Sequence, residues 1–144
     1  MKRPQHLARR GSPKAAAPLG GRAMIEYPLA AMREAGLTPV IVAKRDNELP
    51  ALSGVVEVLR EPDRPRHPLC GVITALERLG GPIVVCACDM PFVSAQLIAW
   101  LAALPDEVAI TTAGDRPQPM LGRYPPSALP ALRAALDSES SVRD

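Results

Sequence analysis

Ile83-Val84-Val85-Cys86-Ala87-Cys88-Asp89-Met90-Pro91-Phe92-Val93 decides how the rest of this chain is read. An uninterrupted apolar run, short and rich in β-branched residues, reads as a strand buried on both faces, the kind found in parallel sheets with helices on either side. Asp89 closes the run, and Pro91 ends the ladder because proline cannot donate to a neighbouring strand. The carboxylate therefore belongs at the strand's carboxyl edge, where open α/β sheets bind ligands. No lysine or arginine stands beside Asp89 in sequence. It suits a hard cation such as Mg²⁺, which takes one or two protein carboxylates and fills its other positions with water and phosphate oxygens. Ser94, directly before Ala95-Gln96-Leu97-Ile98, is better placed than Asp89 to cap the helix that follows.

Outward from this strand, helical and extended patterns alternate. Upstream, Val72, Ile73, Leu76 and Leu79 trace one helix face stopped by Gly80-Gly81, and Val40-Ile41-Val42-Ala43 and Val55-Val56-Glu57-Val58-Leu59 read as strands. Ile25, Leu29 and Met32 recur at helical spacing up to a C-cap at Gly36, with Pro28 marking a kink or the first turn. Downstream come a helix bearing Leu97, Ile98, Leu101 and Leu104, then a strand at Val108-Ala109-Ile110-Thr111-Thr112. A loop at Arg116-Pro117-Gln118-Pro119, a short strand from Met120 to Tyr124 and a last helix through Leu129, Leu132 and Leu136 complete the chain. This alternation predicts a three-layer α/β/α sandwich around a mostly parallel sheet.

The 144 residues suffice for one domain with a real core, residues 1–144, of which 1–17 read as a basic, mobile N-terminal segment. Apolar residues make up 47% of the chain while Phe, Trp and Tyr make up only 3%, so the core must be built from Ala, Val, Leu and Ile. The formal charge of +2 and the lack of one long basic run give no reason to expect a nucleic-acid partner. Cys70, Cys86 and Cys88 lack CxxC spacing and read as small core hydrophobes in a reducing cytosol; a metal site joining them to His67 carries little weight. No stretch has the length of a membrane span, and a cytoplasmic location is expected.

Several motifs in order carry a resemblance. Arg9-Arg10-Gly11-Ser12-Pro13-Lys14, Pro18-Leu19-Gly20-Gly21-Arg22, Ile25-Glu26-Tyr27, Pro68-Leu69-Cys70-Gly71 and Cys88-Asp89-Met90-Pro91 together resemble the molybdenum cofactor guanylyltransferases, a branch of the Rossmann-like nucleotidyltransferases. The resemblance implies transfer of GMP from GTP to the terminal phosphate of molybdopterin, with release of pyrophosphate. It implies that Asp89 holds Mg²⁺ and acts with Lys14 in catalysis, and that Arg9, Gly11, Lys14, Asp63 and Asp89 contact the nucleotide. Gln118 resembles a position near the second substrate, and Lys44 falls where family members often carry asparagine.

The chain departs from the family pattern at its start. Members open with an apolar strand running into Leu-Ala-Gly-Gly, whose backbone N–H groups wrap the nucleotide. Here Lys2, Arg3, Pro4 and Gln5 argue against a central strand, which predicts an empty slot with its flanking strands about 9 to 10 Å apart unless they close up or another segment fills it. The family also continues beyond the equivalent of Val142, so the expectation is an incomplete sheet in a fragment, a misplaced start or a degenerate copy. Two other readings stand beside guanylyl transfer. One is cytidylyl transfer to the same pterin, and the other is a non-catalytic nucleotide-binding remnant.

Overall fold

The structure is a computed structural model and describes residues 5–9 and 13–143. In chain order its elements are β1 (Gln5–Arg9), α1 (Pro13–Ala16), β2 (Pro18–Leu19), β3 (Arg22–Ala23), α2 (Glu26–Glu34), β4 (Thr38–Lys44), β5 (Glu57–Glu61), α3 (Pro68–Leu79), β6 (Ile83–Ala87), α4 (Ala95–Ala102), β7 (Ala109–Ala113), β8 (Arg116–Tyr124) and α5 (Leu129–Arg143). Six strands form one sheet in the order β5-β4-β1-β6-β8-β7, and β2 pairs with β3 in a small hairpin. β5, β4, β1 and β6 run parallel, and β8 lies antiparallel to both β6 and β7.

Alternation along the central strands splits the core into two layers. Val40, Val42, Leu59, Ile83 and Val85 point to one face, where they meet Val72, Ala75 and Leu76 of α3, with Leu129 and Leu132 of α5 packed alongside. The odd-even partners point the other way. Val84 and Cys86 meet Met32 of α2 and Ile98 and Leu101 of α4, while Ile41 and Ala43 pack with Ile25 and Leu29. The three-layer α/β/α sandwich with a mostly parallel sheet is the architecture observed.

One expectation is overturned. The central slot is not empty, because Gln5–Arg9 fills it. β1 pairs in parallel with β4, Leu7 opposite Val40, and with β6, Leu7 opposite Val85. The reason lies in the backbone. Two buried hydrophobic strands facing an empty slot would each leave a row of donors and acceptors unpaired, and a ladder needs peptide groups, not particular side chains. Pro4 precedes the strand in sequence and so costs it no ladder bond.

Smaller shifts have local causes. The strand read as Val55–Leu59 runs Glu57–Glu61 instead, because its register is set by Lys44 pairing with Glu61. The loop expected at Arg116–Pro119 is the first half of β8. That half pairs with β7 alone, since β6 reaches only Leu121, so one flank of Pro117 and Pro119 has no ladder to supply. Gly20 and Gly21, with φ 59 and 81, turn the β2–β3 hairpin. Tyr27 locks it by donating its hydroxyl to the Leu19 carbonyl.

Gly122 closes the sheet where β7 and β8 cross most tightly. It pairs with Val85 and Ile110, beside a register shift at Ile110/Thr111. A Cβ there would meet the Ala109 carbonyl oxygen at 2.5 Å and the Ile110 Cα at 3.3 Å, both backbone atoms that cannot swing aside. Gly122→Ala is expected to destabilise the domain by about 1–3 kcal/mol. A urea melt checks this, and an unchanged midpoint would show that the strands can part without cost.

Candidate active site

Parallel pairing brings the carboxyl ends of β5, β4, β1 and β6 to one edge. The register places Arg9 level with Val42 and Ala87, and Lys44 level with Glu61. Asp63 lies two residues past the end of β5, and Asp89 two residues past the end of β6; both side chains are exposed. β8 runs the other way, so its start overhangs the same edge: Leu121 pairs with Cys86, and Gln118 stands three residues beyond. Asp63, Lys44, Arg9, Asp89 and Gln118 thus follow one another along the edge, on five adjacent strands or the turns that leave them.

The short helix α1 is seated at this edge by one alanine. Ala15 is fully buried in a cluster with Ile25, Ile41, Ala43 and Cys88. Its carbonyl accepts from the Ile25 N–H at 3.2 Å, and the Ala17 carbonyl accepts from the Met24 N–H at 2.8 Å. Cys88 immediately precedes Asp89, and Lys14 immediately precedes Ala15, so the lysine-bearing segment and the aspartate-bearing turn are both anchored in this cluster. Of Arg9 and Lys14 only the backbone positions are described, and Gly11 lies outside the described residues.

Sequence reasoning undervalued Lys44. The residue is buried at the end of β4, 3.3 Å from Glu61 Oε1, and donates from Nζ to the Pro62 carbonyl at 2.6 Å. Its own N–H donates 3.0 Å to Asn47 Oδ1, and its carbonyl accepts from Arg60 at 2.7 Å. The lysine therefore ties the turn after β4 to the turn after β5, directly before Asp63. A signal was present: a lysine ending an apolar strand covered on both faces must find an acid or surface at a cost. The same logic applies to Glu26, buried in the first turn of α2, where Oε1 accepts from the Ser53 N–H at 2.8 Å and Arg22 stands 3.8 Å from Oε2.

The N-terminus of α3 is capped by His67, whose Nδ1 accepts from the Leu69 N–H at 3.1 Å while Nε2 meets Glu139 of α5. Cys70 Sγ donates to the Pro65 carbonyl at 3.1 Å. These contacts fix the Pro68-Leu69-Cys70-Gly71 turn where it leaves the edge. Cys86 lies near the end of β6, and its thiol is pushed up to about 12 by burial, with Cys88 and Asp89 adding. The Asp89 carboxylate offers oxygen, the donor type preferred by hard cations.

Residues 8–144 match the MobA-like NTP transferase domain. The chain belongs to this family. A molybdenum cofactor guanylyltransferase from Shewanella sp. (strain ANA-3) is 30% identical over 139 residues, covering 92% of this chain and 71% of the relative. Among solved structures, molybdopterin-guanine dinucleotide biosynthesis protein A from Archaeoglobus fulgidus aligns with a TM-score of 0.70 at 23% identity, over 94% of this chain and 74% of that one. A Mycobacterium tuberculosis H37Rv protein solved in complex with manganese aligns with a TM-score of 0.67 at 18% identity, over 90% of this chain and 74% of that one. The MobA-like match begins at Ala8, inside β1, so the end of the strand that fills the central slot falls within the family domain.

Membership makes this chain a nucleotidyltransferase by family. It also gives the edge its meaning, since phosphoryl-type transfer asks the protein mainly to position reactants and stabilise charge. Among the described residues, no helix of the MobA-like domain is long and apolar enough to cross a membrane.

Proposed function

We propose that this chain transfers GMP from GTP to the terminal phosphate of a molybdopterin acceptor, releasing pyrophosphate, with Mg²⁺ held by Asp89. The observation that carries the reading is the seat of α1: Ala15, next to Lys14, and Cys88, next to Asp89, belong to one buried cluster at the carboxyl edge of the sheet. Support also comes from the resemblance to guanylyltransferases over 92% of the chain.

In this reading the acceptor phosphate attacks the α-phosphorus of GTP, the new P–O bond forms, and the bond to the β-phosphate breaks as pyrophosphate leaves. Lys14 and Arg9 offset phosphate charge from the central strand and α1, and the backbone at Gly11 contacts the nucleotide. Asp63, held by the Lys44 tie to Pro62, contacts the nucleotide from the β5 side. Gln118, at the overhang of β8, faces the acceptor side of Asp89. The exposed Asp89 carboxylate fits a hard divalent ion, which would supply neutralisation of developing phosphate charge.

The test is pyrophosphate release by this chain with molybdopterin, Mg²⁺ and each of GTP, CTP and ATP. Release with GTP that depends on both acceptor and Mg²⁺ is expected. Release with CTP in preference to GTP would replace the nucleotide assignment, and no release with any of the three would overturn the reading.

A further inference from the structure

A polar cavity of about 340 Å³ lies at the outer edge of the sheet, between β5 and the flank of α3. It is at the small end of ligand-sized sites. Arg45, Arg60 and Arg78 line it, with Thr74 between them. The carboxylates on its wall are largely spoken for. Glu61 is buried against Lys44 at 3.3 Å, and Glu77 pairs with Arg133 of α5 at 3.3 Å, both partners lying outside the lining.

The arginines are not cancelled in the same way. Arg60 donates to the carbonyls of Lys44, at 2.7 Å, and Asn47, at 3.1 Å, which orient its guanidinium without neutralising it. Arg45 and Arg78 have no ion pair among the described residues. Three guanidiniums therefore share a concave site with one carboxylate, Asp63, that has no ion pair among the described residues.

We infer that this cavity is an anion site for a phosphate-type ligand, separate from the Lys14–Asp89 centre of the transfer site. Guanidinium forks match the paired oxygens of phosphate, and the Thr74 hydroxyl adds a neutral donor. The location supports separateness: β5 is the sheet edge, and β4 lies between it and the central strand. The cavity nonetheless shares Asp63 with the nucleotide side of the edge, and Glu61, paired with Lys44 behind it, forms part of its inner wall.

The experiment is calorimetric titration of inorganic phosphate into the chain at low ionic strength, where screening is least. Saturable binding with a Kd of about 1 mM is expected. The double variant Arg45→Ala/Arg78→Ala, whose exposed side chains carry no described partner, should keep its melting temperature and bind about tenfold more weakly. Lys14→Ala should bind phosphate as the wild type does. Equal binding by the double arginine variant, loss of binding in Lys14→Ala, or no saturable binding by the wild type would each overturn the inference.

Discussion

Asp89→Asn is expected to lower the rate of pyrophosphate release by about 10³-fold, equivalent to roughly 4 kcal/mol of transition-state stabilisation. The argument is one of charge and exposure. The side chain projects from a turn past β6 and is exposed. Among the described residues it has no hydrogen bond or ion pair. Asparagine keeps the shape and removes the anion that would hold the metal. Stability should stay within about 0.5 kcal/mol of the wild type, the usual range for surface changes. Turnover that survives at more than a tenth of the original rate would remove Asp89 from the metal assignment; a large fall in melting temperature would mean that its role is structural.

The second large effect is on stability. Lys44→Met removes the cation that lies 3.3 Å from the buried Glu61 carboxylate and should cost about 3–5 kcal/mol. Glu61→Leu alone strands the lysine and should cost a similar amount. The double variant Lys44→Met/Glu61→Leu removes both charges from the same space, and its loss should be much smaller than the sum of the singles, because a hydrophobic pair replaces an ion pair at little net cost. Urea melts of the four proteins measure the coupling directly. Additive losses would show that the 3.3 Å pair contributes nothing as a pair and that the Pro62 hydrogen bond carries the lysine's role.

The layers of the fold were legible because apolar periodicity is a strong signal. Val84 and Cys86 on one face of β6, and Ile83 and Val85 on the other, follow from an unbroken run that had to be covered twice. β1 was not legible, because Gln5-His6-Leu7-Ala8-Arg9 has no such run. Its place comes from the unpaired edges of β4 and β6, which no local pattern in residues 5–9 reveals. The strand half at Pro117 and Pro119 was hidden for a related reason: proline counts against a strand only where both flanks are paired. Of the site, Asp89 was readable as the acid ending a buried strand. Lys44 was discounted by comparison with the family's asparagine, although the cost of burying a lysine pointed to a partner.

The most direct measurement is a calorimetric titration of GTP into the chain with Mg²⁺ and with EDTA, repeated on Asp89→Asn. The account predicts saturable binding that requires Mg²⁺ in the wild type and is lost or strongly weakened in the variant. GTP binding that is equal in EDTA, or unchanged by the substitution, would contradict a metal site at Asp89. Absence of binding with Mg²⁺ would contradict a nucleotide site at this edge.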